Sequence, residues 1–415
     1  MNNDAELIAL KYLIKKQLGF PNSLNYKKLI SGGIDDSENI TKESFINNCP
    51  FTVKSEITQD HLETPPFGSN LTSNINSYTK LSKTSGTTGN SISWIDTTDD
   101  WNSMLDAWSI IFEYAELDRI QDSLFFAFSF GPFLGFWTAY EAASKLNFMI
   151  IPGGGMSSRA RLKLLSDSSS SVLFCTPTYA LRLGELIEKK NSIKVRKIIV
   201  AGEPGGSVPS IKQKISDLWN GAEIIDHHGM TEVGPVTFQR SSSPADLTML
   251  PNFHIAEVID LKTNSEVDVG ETGELVLTTI RRPGNSLLRY KTGDLVKKGF
   301  EVINGENVLN FEGGIISRVD DMHVIRGVNV YPSSIDSIIK RHEGIGEYRV
   351  RIITKNSMKE IELELELDEP SNQNHFKMQF SNELHSILNL RIPVSFVPKG
   401  TFDRFDFKAS RWIIE

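Results

Sequence analysis

The sequence predicts an α/β protein with a large N-terminal domain and a small C-terminal α+β domain. The large domain combines mainly parallel sheets covered by helices with a β-rich subdomain. Three observations predict this. Between residues 124 and 226, short apolar runs alternate with helical patterns, as in a parallel sheet covered on both faces. After residue 250, strands follow one another with only turns between them. After residue 318 the pattern changes again, and 415 residues exceed one ordinary core. The boundaries expected are 1–318 and 319–415.

Residues 1–60 read as helices with loops. Residues 97–118 read as a helix that Thr97 or Thr98 caps, with Asp99 and Asp100 near the positive end of its dipole. LFFAFSF (124–130) and FMIIP (148–152) read as buried strands. RARLKLLSD (159–167) is helical, VLFCTP (172–177) a strand, and TYALRLGELIEKK (178–190) a helix. KIIVAGE (197–203) is a strand, Pro209 to Trp219 a helix, and Glu223 to Asp226 a strand. GELVLTTI (273–280) opens the β-rich part. Near the end, a strand at Val328 to Tyr331 meets Pro332, which suits the first turn of a helix running to about His342. IIT (352–354) and IELELELD (361–368) follow as strands. The period of two in the second strand should turn its acids to water. A last helix is expected at about 375–389.

Lys plus Arg number 44 against 52 Asp plus Glu, a net charge of −8, which excludes nothing but a basic nucleic-acid-binding surface. Two cysteines, Cys49 and Cys175, fit neither a disulfide framework nor a tetrahedral zinc site, and suit a reducing cytoplasm. The N-terminus lacks the basic start and apolar core of a signal peptide. Leu124 to Tyr140 is the most apolar stretch. Gly131, Pro132 and Gly135 interrupt it short of the roughly 20 apolar residues of a membrane helix. No nucleic-acid or membrane partner is expected.

Five segments carry chemistry. Thr84-Ser85-Gly86-Thr87-Thr88-Gly89 can wrap a polyphosphate: glycine lets the backbone approach, successive N–H groups form an anion nest, and hydroxyls add donors. It is not a Walker A loop, and on composition alone a solvent-exposed turn is equally compatible. Gly229-Met230-Thr231-Glu232 follows the strand Glu223 to Asp226. It puts a hydroxyl and a carboxylate at a strand's C-terminal end, where α/β sheets hold ligands. The ordinary alternative is a strand-end turn with a solvated glutamate. Tyr290-Lys291-Thr292-Gly293-Asp294 offers a carboxylate on a tight turn, suited to a ribose diol. Ser317-Arg318-Val319-Asp320-Asp321 with Arg326-Gly327-Val328-Asn329-Val330-Tyr331-Pro332 is the fourth, and Phe407-Lys408-Ala409-Ser410-Arg411 the fifth.

Each is weak alone, but in this order they resemble the superfamily of adenylate-forming enzymes, which includes acyl- and aryl-CoA ligases, luciferases and peptide-synthetase adenylation domains. The length, PFTVKSEI (50–57) and SRVDDMHVIRGVNVYPSSID (317–336) resemble its short phenylacetate-CoA ligase-like branch. The resemblance implies ATP- and Mg²⁺-dependent activation of a small carboxylic acid to an acyl-AMP, with pyrophosphate release. Transfer to coenzyme A would follow.

It also implies roles. Ser85 to Gly89 would hold the β- and γ-phosphates, with Thr84 beside them. Thr231 and Glu232 would serve the α-phosphate and the metal. Asp294 would bind the ribose, Arg318 the ribose or phosphate region, and Ala201, Gly202, Glu203 and Pro204 the adenine, with His228, Gly229 and Met230 alongside. Lys408 would reach in from a mobile small domain. Asp320 would be its hinge, and Gly327 would come toward the thiol's entry route in the second half-reaction. Negative charge must be stabilised on both sides of the α-phosphorus, and a metal ion, loop N–H groups and an ammonium are groups of that kind.

The chain departs from the pattern in three places. Asn90-Ser91 stands where the phosphate loop usually continues Lys-Pro. His228 replaces an adenine-stacking Tyr, and Phe407 replaces a Gly before the lysine. His227 is read as structural, with contact to a carboxylate substrate as its alternative.

Phe128, Phe130, Phe133, Phe136 and Trp137, next to Gly131 and Gly135, suit a flat ring as well as ordinary core packing. Gly153, Gly154 and Gly155 would form a backbone wall of the acyl pocket. An aryl or short aryl-alkyl acid is the expected substrate. Two further functions share these motifs: a standalone adenylating enzyme serving a carrier-protein thiol or an amine, and a degenerate nucleotide binder. A homodimer is expected by analogy with the short ligases.

Overall fold

The computed structural model describes residues 3–84, 91–188, 192–203 and 205–319. From there it describes 323–325, 328–330, 332–342, 344–355, 358–367, 373–388, 390–402 and 411–414. Ser85–Gly89, Pro204, Asp320, Gly327 and Lys408 lie outside the described residues.

Four helices open the chain: α1 (Asn3–Leu18), α2 (Leu24–Ser31), α3 (Lys42–Asn48) and α4 (Lys54–Glu63). An antiparallel pair, β1 (Tyr78–Lys83) and β2 (Ser93–Thr97), leads into α5 (Thr98–Tyr114). Thr97 is the cap of α5: it accepts from Asp100 N–H while Asp100 accepts from Thr97 N–H, a reciprocal capping box.

The parallel sheet follows in β–α alternation. Its strands are β3 (Ser123–Phe126), β4 (Met149–Pro152), β5 (Val172–Cys175), β6 (Lys197–Val200) and β7 (Glu223–Asp226). Between them run α6 (Trp137–Lys145), α7 (Ser158–Asp167), α8 (Pro177–Glu185) and α9 (Pro209–Leu218). The spatial order is β4-β3-β5-β6-β7, all parallel. Side chains alternate strictly between two cores. Leu124, Phe126, Val172, Phe174, Ile199 and Ile225 pack with α5 and α6. Phe125, Leu173, Cys175, Ile198, Val200 and Ile224 pack with α8 and α9. Period-two burial on both faces is what the continuous apolar runs imply. Two runs depart from this: the strand of LFFAFSF ends at Phe126, and FMIIP forms the edge strand β4, which is not buried because, among the described residues, no strand covers its outer side, and Met149 is exposed.

A two-stranded hairpin, β8 (Gly229–Met230) and β9 (Gly234–Pro235), follows β7 directly. The β-rich part contains β10 (Thr237–Arg240), β11 (Ser243–Met249), β12 (His254–Ile259), β13 (Thr272–Thr279), β14 (Tyr290–Ile303) and β15 (Glu306–Arg318). These form one antiparallel sheet ordered β10-β11-β15-β14-β13-β12. The N-terminal helices pack on it through Ile255, Ile280 and Leu288.

The smaller C-terminal α+β region has its own core, drawn from Ile325 onward. It holds β16 (His323–Ile325), β17 (Val328–Val330), α10 (Pro332–Lys340), β18 (Ile345–Lys355), β19 (Met358–Leu367), α11 (Gln373–Leu388), β20 (Val394–Val397) and β21 (Trp412–Ile414). In the four-stranded sheet β20-β19-β18-β21, Ile361, Leu363 and Leu365 face the core. The alternating acids of β19 do not all reach water. Glu366 is completely buried and accepts from the Phe402 N–H at 3.2 Å, because the 390–402 segment folds over the end of its strand.

Candidate active site

The carboxyl ends of the parallel strands converge on one edge, where open α/β sheets place ligands. Ala127–Phe130 leave β3, Gly153–Gly155 leave β4, Ala201–Glu203 leave β6, and His227–His228 leave β7. Gly202 has φ +92°, so the backbone turns sharply off β6. Glu203 accepts from the Thr178 N–H at 2.6 Å, at the first turn of α8.

His228 and Asp294 meet although 66 residues separate them. His228 Nε2 lies 3.0 Å from Asp294 Oδ2, and Arg318 donates to Asp294 Oδ1 at 3.0 Å. Arg318 also donates to the Thr292 carbonyl at 3.2 Å. Burial would raise the Asp294 pKa, but the hydrogen bond and charge of His228, with Arg318, hold it below the ordinary aspartate value. Asp294 sits within the long strand β14 and not on the tight turn expected for TGD. Gly293 takes φ +77° there, and the ladder to β13 slips a register, so a bulge aims the carboxylate.

Thr231, Glu232 and Val233 form the three-residue turn of the β8–β9 hairpin, closed by Gly234 at φ +81°. Glu232 is 4% exposed. Met230 and Gly229 lie on the incoming strand.

His227 is structural in its packing. Its ring lies 4.5 Å from that of Trp108, and its Nδ1 is 2.7 Å from the Thr237 carbonyl. A carbonyl only accepts, so Nδ1 carries the proton and Nε2 keeps a lone pair. Burial lowers its pKa to about 3, so the ring is neutral.

The aromatic segment after β3 packs largely on itself. Phe130 lies 4.2 Å from Phe128, 4.8 Å from Trp137 and 5.1 Å from Tyr140, centroid to centroid. A methyl on Gly154 would stand 2.5 Å from the Phe130 ring, one on Gly153 2.6 Å from Phe125, and one on Gly131 2.7 Å from Phe133. The space beside these glycines is therefore filled by the chain's own rings.

Thr84 directly follows β1, and its hydroxyl accepts from the Ile92 N–H at 3.0 Å. On the C-terminal side, Arg411 donates to Glu347 at 2.6 Å, and Glu203 contributes to the negative field around it. Sequence reasoning missed three residues here: Asp96, His254 and Arg282. Arg282 lies in an Arg-Arg-Pro-Gly run whose only sequence signal is a turn.

The comparisons agree with this geometry. Residues 81–286 match the family model for AMP-binding enzymes, and residues 327–414 match that for the AMP-binding enzyme C-terminal domain. Phenylacetate-coenzyme A ligase of Thermus thermophilus is 29% identical over 252 residues, 59% of this chain and 56% of that protein. The ligase of the same name from Aromatoleum evansii is 24% identical over 88% of this chain and 82% of its own. Among solved structures, 2-hydroxyisobutyryl-CoA ligase in its postadenylation state superposes with TM-score 0.90 at 25% identity, covering 100% of this chain and 89% of that one. The same ligase in its thioesterification state, with equal coverage, gives 0.72.

A parallel sheet whose strand ends converge on one edge, a separate C-terminal core and the two family matches define an AMP-binding enzyme of the adenylate-forming type. The chain belongs to the adenylate-forming acyl-CoA ligase superfamily and is related to the phenylacetate-CoA ligase-like enzymes. It is an AMP-forming acid–thiol ligase, making an acyl-adenylate and then a coenzyme A thioester.

Proposed function

We propose that this ligase activates a small aryl or aryl-alkyl carboxylic acid at the carboxyl edge of the β3–β7 sheet. The observation that carries the placement is the His228–Asp294–Arg318 cluster beside the buried Thr231–Glu232 turn. In this reading Asp294 accepts from the ribose diol, and Arg318 orients it. Ala201 to Pro204, His228, Gly229 and Met230 enclose the adenine. Thr84 to Gly89 wrap the outer phosphates. Thr231 donates to the α-phosphate.

Mg²⁺ fits the donor set: Glu232 is a buried hard-oxygen ligand, and phosphate oxygens would complete the shell. Its contribution when bound is to neutralise charge on the phosphates. No group of three acidic, His or Cys residues that could hold a metal ion stands among the described residues.

The carboxylate of the acid supplies the nucleophile, so the chain needs only to orient and to stabilise charge. Lys408 enters during adenylation and withdraws as residues 319–415 turn about Asp320, when Gly327 lines the route of the thiol. Phe130, Gly131, Phe133, Gly153, Gly154 and His227 form the acyl side. The curated relatives named for phenylacetate support an aromatic acid. A compact hydroxy acid is the second reading. It is favoured by the rings that fill the space beside Gly131, Gly153 and Gly154, and by likeness to a 2-hydroxyisobutyryl-CoA ligase. No described helix is long and apolar enough to cross a membrane. We place the enzyme in the cytoplasm as a homodimer.

The test is pyrophosphate release from ATP and Mg²⁺ over a panel of aromatic, aliphatic and hydroxy acids, with and without coenzyme A. Release and thioester formation with an arylacetic or benzoic acid would support the first reading. Preference for a compact hydroxy acid would support the second. Release without a thioester would point to a carrier-protein thiol or an amine as acceptor. ATP binding with no release for any acid would mean a degenerate binder.

A further inference from the structure

The turn that bears Thr231 and Glu232 is held at its own carbonyls by side chains from distant parts of the chain. Three-residue turns leave carbonyls without ladder partners, and a buried carbonyl needs a donor. Arg282 NH1 donates to the Thr231 carbonyl at 2.8 Å. The rest of its guanidinium is locked on Asp96, at 2.6 Å to Oδ1 and 2.8 Å to Oδ2. On the other side of Glu232, His254 Nε2 lies 3.1 Å from the Val233 carbonyl. Nε2 must therefore be the protonated nitrogen, which leaves the buried Nδ1 with a lone pair and no partner.

These arrangements are costly. Asp96 is wholly buried, and desolvation raises its pKa despite Arg282. His254 is neutral, its pKa pushed to about 4 by burial. A buried ion pair and an orphaned ring nitrogen are weak sources of stability. Both are spent on the two carbonyls that flank one carboxylate. They hold the backbone on both sides of Glu232; outer-shell partners of metal ligands act in the same way.

We propose that Arg282, backed by Asp96, and His254 are positioning residues that hold Glu232 in its metal-binding orientation. The proposal rests on Glu232 serving the cation, so the experiment separates the two claims. ATP affinity would be measured by calorimetry with and without Mg²⁺, giving the Mg²⁺-dependent gain for each variant, with melting temperatures alongside. Lysine cannot span both Asp96 and the Thr231 carbonyl, so Arg282→Lys should cut the gain by between about 10- and 100-fold. His254→Leu should cut it as well, whereas His254→Gln, which keeps a donor near Nε2, should retain most of it. Glu232→Gln should abolish it.

If Glu232→Gln loses the gain but Arg282→Lys and His254→Leu keep it, the positioning role is overturned and the Glu232 assignment stands. If Glu232→Gln itself keeps the gain, the assignment falls and the proposal with it. Should Arg282→Lys fail to fold, the Leu and Gln variants of His254 decide alone. Equal gains in both, whatever their melting temperatures, would leave His254 a purely structural residue and overturn the proposal.

Discussion

His228 and Asp294 share a hydrogen bond of 3.0 Å, and this contact joins the end of the parallel sheet to the antiparallel one. Asp294 carries Arg318 on its other oxygen, also at 3.0 Å. A carboxylate held by two cation-capable groups stays ionised and oriented. Under the proposed function it accepts from the ribose diol.

Asp294→Asn should therefore raise the KM for ATP by roughly 10- to 100-fold, the worth of charge-assisted hydrogen bonds. The KM for the acid should change little. Acid-dependent pyrophosphate exchange at varied ATP measures both. An unchanged ATP KM would remove Asp294 from the nucleotide site.

His227 and His254 set a pH limit on stability. Both have folded pKa values far below the unfolded value of about 6.5, near 3 and 4 respectively. The stability they contribute is fully present above about pH 6.5 and is lost as pH falls toward the folded values, because the unfolded chain binds the protons first. Melting temperature should fall between pH 6.5 and 4. His227→Gln should flatten that slope, and a slope identical to wild type would refute the assignment.

The Asp96–Arg282 pair gives an asymmetric result. Arg282→Ala strands a buried carboxylate and should cost about 3–5 kcal/mol in denaturant unfolding. Replacing both residues with Leu and Met should recover most of that stability. Full recovery by the single variant would mean that the pair is solvated in solution.

Gly154→Ala would press a methyl onto Phe130, with only 2.5 Å between them. Overpacking of this kind costs about 1–3 kcal/mol. We expect kcat/KM for the preferred acid to drop while the KM for ATP holds. A parallel change in both would argue that Phe130 is core and not part of the acyl side.

The two half-reactions should separate genetically. Asp320→Pro should spare acyl-AMP formation and block thioester formation, while Lys408→Ala should suppress adenylation. Equal loss of both activities in Asp320→Pro would sink the hinge. Pyrophosphate release and thioester formation, assayed in parallel, report the two steps.

Much of this was legible before the fold. Continuous apolar runs announced β3, β5 and β6, because a strand buried on both faces must be apolar throughout. Thr97 or Thr98 ahead of Asp99 and Asp100 announced the start of α5, and the structure decided for Thr97 through its capping box with Asp100. The Gly229–Glu232 segment announced a turn by its position after a strand, and a hairpin stands there. The setting of Asp294 was not legible: TGD reads as a turn, and only pairing with β13 and β15 makes it a bulged strand.

The sequence by itself determined which residue types stood ready for nucleotide chemistry and in what order, since local periodicity and motif spacing are written along the chain. Tertiary structure decided which of them meet. His228 finds Asp294, and Arg282 finds both Asp96 and Thr231, across separations of 66, 186 and 51 residues. It also decided that Gly131, Gly153 and Gly154 shelter the chain's own phenyl rings. Such contacts follow from how sheets and helices close on one another, and no local pattern encodes a partner that only packing brings near.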